Sequence, residues 1–389
     1  MAMQRIMSRL SWPQVCARRL ERQGLAAPFE SSGVADVAGA MCGAHAQIMI
    51  AAELSIGLRM SGVTRRDVQQ ALWVEHSLVK TRGPRGTVHL LPSRDLPMWT
   101  GALSALPVRR NAGGKDELLT AGQTEEVVAA IGDALQDSDL TVDELTEAVV
   151  QRAGAWAGEP AMPAFQALWP RWRAAEGVAA NRGVLCFGPN RGRNVTYTSP
   201  NRWLPGFRPQ ASEAALSALV GRYLYSYGPA TPEQFARWMS VPARWAIDLF
   251  DSLAAELQQV EVEGTPAWVA QGDTKGTLHP PNGVRLLPYF DAYVVGCHPR
   301  DLLFPGRASA RALSGGQAGN LPVLLVGGVV AGLWHHRRSG KVLDITVEPF
   351  GQPSPAQRRE IEHEAERTGK ILEGTTRLAF GKVEVGPHA

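Results

Sequence analysis

The sequence predicts an α+β chain in which winged-helix motifs in tandem precede a region of short strands. Three observations predict it. Three segments carry the same helix-capping signature, and a hairpin pattern lies downstream of each. From about residue 281 the texture changes to short apolar runs separated by Gly and Pro. The 40 Gly and 27 Pro suit a protein of many short elements. At 389 residues, 44% of them hydrophobic and 20% charged, the chain has ordinary globular composition. That length accommodates about two to four compact units with real cores.

In chain order the first distinctive stretch is C-G-A-H-A-Q-I-M-I-A-A-E-L-S-I-G, residues 42–57. His45 and Gln47 stand two apart in an otherwise small and apolar run. In a helix, residues two apart point to nearly opposite sides, whereas in extended chain they share a face. The two act as a pair only if they precede the helix, and Gly43 permits such a break. The helix is then expected over about Ile48–Ile56, with Glu53 and Ser55 as its few polar positions. From residue types alone, local hydrogen bonding or helix capping explains both side chains. Both can also hold a water, and the imidazole takes a proton near neutral pH.

The capping signatures follow: T-R-R-D-V-Q-Q-A from Thr64, T-V-D-E-L-T-E-A from Thr141 and T-P-E-Q-F-A-R-W from Thr231. In each, Thr is followed three residues later by an acid or Gln. The hydroxyl satisfies an orphan N–H while the later side chain reaches back. Each segment therefore starts a helix. The hairpin patterns downstream are residues 78–92, 183–198 and 258–270, each with β-formers flanking a Gly, Pro or Asn turn. Second helices are expected at roughly 162–177 and 241–257. Capped helix, second helix and β-hairpin together make the winged variant of helix-turn-helix. Beyond residue 281 the runs G-V-R-L-L-P-Y-F-D-A-Y-V-V-G, N-L-P-V-L-L-V-G-G-V-V-A-G-L-W-H-H and K-V-L-D-I-T-V-E-P-F read as strands of a sheet or small barrel. P-S-P-A-Q-R-R-E-I-E-H-E-A-E-R-T-G-K reads as a polar-faced helix, and R-L-A-F-G-K-V-E-V as a last strand.

Net charge is only +3, so any nucleic-acid surface must come from local clustering. Residues 177–212 contain no Asp or Glu and, on the second wing, carry Arg182, Arg191, Arg193, Arg202 and Arg208 among Asn190, Asn194, Tyr197 and Trp203. Lys80, Arg82 and Arg85 fall on the first wing. His335, His336, Arg337, Arg338 and Lys341 fall at a strand turn in the C-terminal region. Basic hairpins suit phosphate contact, although arginines in loops are often simply solvated. If about six phosphates are neutralised, affinity falls with salt at a log–log slope of about −5.

Four cysteines, at 16, 42, 186 and 297, are too far apart for a zinc motif and too few to staple the chain, which suits a reduced cytosolic protein. No window approaches eighteen apolar residues, and the N-terminus lacks a signal-peptide core. On a strand, Arg85, Thr87 and His89 would share a face, either toward DNA or with His89 packed against the wing. Asp291 reads as a turn or structural acid. His335 and His336 are adjacent on a strand and point to opposite faces, which argues against a metal site.

The run G-A-H-A-Q-I-M-I-A-A-E-L-S-I-G-L-R resembles the N-terminal motif of winged-helix DNA glycosylases of the AlkZ/YcaQ type, where Gln, a small or apolar residue, and Gln or Asp precede a similar helix. The resemblance continues in P-R-G-T-V-H-L-L-P at 84–92, Y-L-Y-S-Y-G-P-A-T-P-E-Q-F-A-R-W at 223–238 and R-L-L-P-Y-F-D-A-Y-V-V-G at 285–296. It spans nearly the whole chain in order. It implies three tandem winged helices plus a C-terminal β-barrel, shaped as a concave DNA channel. The divisions expected are 1–100 with the H-A-Q motif, 101–208, 209–280 and 281–389.

The resemblance further implies hydrolysis of the N-glycosidic bond of a bulky N7-alkylated guanine, including crosslink unhooking. His45 and Gln47 are the expected catalytic pair. Lys80, Arg82, Arg85, Thr87, His89, Arg191, Arg193, Arg202, Arg337 and Arg338 are the expected DNA contacts. The implied partner is alkylated double-stranded DNA, met by a monomer in the bacterial cytoplasm at the nucleoid, without cofactor, metal or membrane. A His in place of the family's first Gln departs from the usual motif. It points either to a subgroup giving self-resistance to DNA-alkylating natural products or to a non-catalytic tandem winged-helix DNA binder or regulator. A metal-dependent nuclease would need clustered carboxylates, and none stands near the basic hairpins.

Overall fold

Thr141 and Thr231 each cap a helix in the reciprocal way their sequences predict. The Thr141 hydroxyl accepts from the Glu144 N–H at 3.3 Å, while the Glu144 carboxylate accepts from the Thr141 N–H at 2.8 Å. Thr231 and Gln234 repeat the arrangement. At Thr64 only the return half forms, with the Asp67 carboxylate accepting from both the Thr64 N–H and its hydroxyl. The helices that follow are Arg65–Trp73, Val142–Ala153 and Pro232–Met239. This computed structural model describes residues 8–107, 118–164, 167–275, 281 and 283–386.

The three hairpins lie where expected. They are Leu78–Arg82 with Val88–Pro92, Cys186–Arg191 with Asn194–Thr198, and Leu257–Val262 with Thr265–Ala270. The second helix after Thr231 is Ala243–Ser252, inside the span predicted for it. The helix predicted over 162–177 does not form. Strands Pro160–Ala164 and Ala167–Pro170 occupy most of that span, followed by a short helix at Glu176–Asn181. Pro163 and Pro170 explain the difference, because an interior proline removes a helical hydrogen bond and clashes with the preceding turn.

Contacts divide the chain into two compact units. One comprises Met1–Ala71 and Val220–Ala389, and the other Leu72–Leu219. The second unit holds the first two hairpins and a core around Val127, Ile131, Leu145, Val149, Trp172 and Tyr197. The Trp172 indole N–H is satisfied inside this core, donating to the Thr146 hydroxyl at 3.0 Å. A buried indole needs such a partner.

In the first unit, the short strand Arg9–Leu10 runs parallel to Leu257–Val262 and extends the third hairpin to three strands. The C-terminal region forms a five-stranded sheet in the order Val284–Leu287, Val323–Val326, Val329–Ser339, Val342–Pro349, Thr375–Phe380. The first four strands pair antiparallel, and the last pairs parallel to Val342–Pro349. A parallel pair needs a crossover, which the Pro355–Ile371 helix supplies.

That helix packs on both edge strands, so a helix rather than a strand bridges the sheet's two ends. The expected β-barrel is therefore an open sheet among the described residues. The A-Y-V-V-G run, read as part of a strand, is instead a short helix, Ala292–Gly296. Asp291 starts it by accepting the Tyr293 N–H at 2.9 Å. No helix among the described residues is long and apolar enough to cross a membrane.

Candidate functional site

The chain turns at Cys42 and Gly43, with φ of +53° and +97°. Glycine suits the second of these because it has no Cβ to clash in that region. Ala44–His45 then runs as a short strand, and the Met49–Gly57 helix begins after an extended Ile48. Residues 44–48 thus stand outside any helix, as a working His45–Gln47 pair requires. Ala46 points into the interior at 1% exposure. His45 is largely covered at 7%, and Gln47 is exposed. The pair sits at the boundary between packed interior and solvent.

Several contacts fix this segment. The Tyr227 hydroxyl donates to the Met41 carbonyl at 2.5 Å, and the Ser226 hydroxyl to the Ala40 carbonyl at 2.8 Å. The His45 ring lies against Phe290, with centroids 4.5 Å apart and planes tilted by 34°.

The two polar side chains of the Met49–Gly57 helix are both buried and both engaged. Glu53 pairs with Arg65 at 3.2 Å and accepts from the Gln69 amide at 2.8 Å, tying this helix to Arg65–Trp73. Ser55 donates to Asp291 at 2.5 Å. Asp291 also takes a bidentate bond from Arg59, at 2.8 Å to each oxygen, and neither side chain of this ion pair is exposed. This bonding fits the structural role expected for Asp291.

Among the expected DNA contacts in the second unit, several are already bonded. The Lys80 ammonium stands 5.3 Å from the centre of the Phe187 ring. Arg82 bonds the Glu176 carboxylate at 2.5 Å and the Gly86 carbonyl at 2.9 Å. Arg85 lies in the turn with φ +62°, and the strand starts only at Val88. The Thr87 hydroxyl closes this turn by donating to the Pro84 carbonyl at 3.0 Å. Arg85, Thr87 and His89 therefore do not share one strand face as expected, because the P-R-G sequence makes the turn. His89 is buried, with Nδ1 2.9 Å from the Thr87 carbonyl oxygen.

On the second hairpin, Arg191 forms a two-pronged pair with Glu144 and also donates to the Asp139 carbonyl. The Thr141 N–H, with Arg191 adding to it, holds the Glu144 carboxyl down to about 2. Arg202 pairs with the Asp139 carboxylate. Arg193 is exposed on the turn, with no acidic partner among the described residues.

In the first unit, Arg337 and Arg338 occupy the exposed end of Val329–Ser339. Arg337 stands opposite Asp344, and Arg338 donates to the Leu372 and Gly340 carbonyls. A cavity of about 370 Å³ lies beside Arg285, Glu360, His363 and Glu364. One of about 840 Å³ in the second unit is lined by Arg182, Asn201, Arg202 and Arg208 among others. Neither is lined by His45 or Gln47. No group of three or more His, Cys, Asp or Glu among the described residues is placed to hold a metal ion.

Sequence reasoning missed Phe290 and Arg59. Both lie in or beside motifs that were singled out, L-L-P-Y-F-D and E-L-S-I-G-L-R. The signal available was an aromatic and an acid side by side in one motif and a lone Arg just past an apolar helix. Nothing local shows that they meet.

Comparisons with known proteins show which family the chain resembles. The family described as DNA glycosylase AlkZ-like matches residues 38–371. An interstrand DNA cross-link repair glycosylase of Streptomyces sahachiroi is 32% identical, over 95% of this chain and 98% of that protein. The solved structure of Streptomyces sahachiroi DNA glycosylase AlkZ is similar with a TM-score of 0.79 at 27% identity, over 95% of this chain and 100% of that one.

Proposed function

The chain belongs to the AlkZ-like DNA glycosylase family, and from that premise we propose that it excises bulky N7-alkylated guanine from duplex DNA. The observation that carries the reading is the placement of His45 and Gln47. They stand on non-helical backbone at the edge of the interior, one covered and one in solvent. A covered imidazole beside an exposed amide suits holding a single water against a bound sugar.

Alkylation at N7 gives guanine a positive charge, so the base leaves readily and a strong general acid is unnecessary. The bond between C1′ and N9 breaks, and its electron pair goes to the departing base. Water attacks C1′, and its proton passes to His45. The Gln47 carbonyl oxygen orients that water and stabilises the oxocarbenium-like sugar. Positioning and preorganised dipoles supply the rate. No lysine precedes Lys80 in the chain. The H-A-Q segment and its helix therefore offer no lysine amine for a Schiff base, which favours hydrolysis without strand cleavage.

The three helix–hairpin units act as winged helices, with exposed Arg193 and Arg337 as phosphate contacts. By likeness to the crosslink-repair relative, the substrates extend to interstrand crosslinks. The His in place of the usual first Gln of the motif favours a biological role in self-resistance against a DNA-alkylating natural product.

The test is single-turnover base release from a duplex alkylated at guanine N7 with nitrogen mustard, read as abasic sites. Wild type forms them. His45→Ala lowers the rate by about 10²–10⁴-fold, the range for a lost general base, and Gln47→Ala lowers it comparably. Near-wild-type rates in both variants would remove the catalytic assignment. No abasic sites with wild type would leave a DNA-binding protein without chemistry.

A further inference from the structure

We propose that Phe290 is a positioning residue for the His45 imidazole, itself fixed by the buried Ser55–Arg59–Asp291 network. The inference rests on the reading of His45 as the group that takes the water's proton. Its ground is a closed circuit of contacts. The Met49–Gly57 helix begins two residues after Gln47. Ser55, near its end, and Arg59, just beyond it, grip Asp291. Asp291 follows Phe290, and the Phe290 ring rests on His45. The helix that follows the H-A-Q segment thus holds, through its far end, the ring that covers the imidazole.

Phe290 is not there by default. Its backbone is left-handed at φ +55°, a conformation that is strained for a bulky residue and persists only where the surroundings over-determine it. Two sets of contacts do so. On one side the Phe290 N–H donates to the Gly319 carbonyl at 2.8 Å. Gly319 has φ +98°, and a Cβ there would come within 2.7 Å of Val295 and 3.2 Å of the Phe290 Cα. On the other side, every contact to the Asp291 carboxylate is buried: the bidentate Arg59 bond, the Ser55 hydroxyl and the Tyr293 N–H. Removing any part lets the loop relax toward ordinary backbone and withdraws the ring from the imidazole. A base misplaced by about 1 Å loses on the order of 10²-fold in rate.

The experiment uses the full chain and the nitrogen-mustard duplex. Single-turnover rate and duplex Kd are measured for wild type, Phe290→Leu, Phe290→Tyr, Ser55→Ala and His45→Ala. Histidine-labelled samples report the His45 ring resonances across pH. Phe290→Leu is expected to lower the rate about tenfold or more while Kd stays within about twofold. Phe290→Tyr should restore most of the rate. Ser55→Ala, which removes one bond to Asp291 and leaves the Arg59 pair, should lower the rate in the same sense, and it serves if Phe290→Leu does not fold. The pH midpoint of the His45 resonances should move in Phe290→Leu.

An unchanged rate in Phe290→Leu overturns the proposal. So does a loss of Kd equal to the loss of rate, which would make Phe290 a DNA contact, and so do His45 resonances indifferent to the change. If His45→Ala keeps the wild-type rate, the reading of the site itself fails. If His45→Ala is impaired and Phe290→Leu is not, only the positioning role fails.

Discussion

Arg191 and Arg193 stand two apart on one hairpin, yet their electrostatic positions differ. Arg191 is held by Glu144 and by the Asp139 carbonyl, so its charge is largely spent within the protein. Arg193 projects from the turn with no acidic partner among the described residues. Each phosphate contact contributes about 0.9 to the slope of log affinity against log salt. Arg193→Ala should therefore flatten that slope by about 0.9 on nonspecific duplex. Glu144→Gln keeps a capping side chain for Thr141 but frees Arg191, and it should steepen the slope and strengthen binding. Anisotropy titrations over a range of salt check both. A slope indifferent to Arg193→Ala would take this hairpin away from DNA.

The Met49–Gly57 helix depends on a buried ion pair. Arg59 also donates to the Ser55 carbonyl at 2.8 Å, so one guanidinium both closes the helix end and holds Asp291. Asp291→Ala strands that charge in the interior, and removing one partner of such a pair costs about 3–5 kcal/mol. Replacing both, with Arg59→Met and Asp291→Leu, should recover much of the loss, because similar-sized apolar residues avoid the desolvation cost. Urea unfolding of the two variants checks this. A loss in Asp291→Ala below about 1 kcal/mol would contradict it.

Which of these features the sequence shows follows from the range of the interactions involved. Thr141 meets Glu144 three residues away, and the hairpins meet across turns of a few residues. Such elements were legible, as was the break at Gly43. The Arg59–Asp291 pair and the Phe290–His45 contact join residues more than two hundred apart, which local pattern cannot connect. The misread helix at 162–177 had a local warning in Pro163 and Pro170. The short Ala292–Gly296 helix had one in Asp291 as a cap.

For the whole molecule, His298 and His336 contribute to the response to acid. His298 is pushed down to about 3, first by burial and then by the like charges of Arg300, Arg19 and Arg237. Burial takes His336 down to about 4, with His335 and Arg338 adding repulsion. An unfolded chain takes up protons on histidine near about 6.5, so between there and the folded values the unfolded state binds more. Stability is then fully present above pH of about 6.5 and is lost as pH falls toward 4 and then 3. Glu144, held low, acts in the same direction at more acid pH.

Under the proposed mechanism activity also fails in acid, because a protonated imidazole at His45 cannot accept a proton, so the two effects must be read separately. Melting temperature and single-turnover rate measured over one pH series will do this. The melting temperature should be flat from about pH 8 to 6.5 and fall by several degrees by pH 4. In His298→Asn, a side chain that stays neutral, the fall should be shallower. A fall in rate within the range where wild type is still fully folded reports the site rather than the fold. A melting temperature that stays level to pH 4 would mean that the fold accommodates charged His298 and His336. The acid loss of activity would then have to be assigned to the site alone.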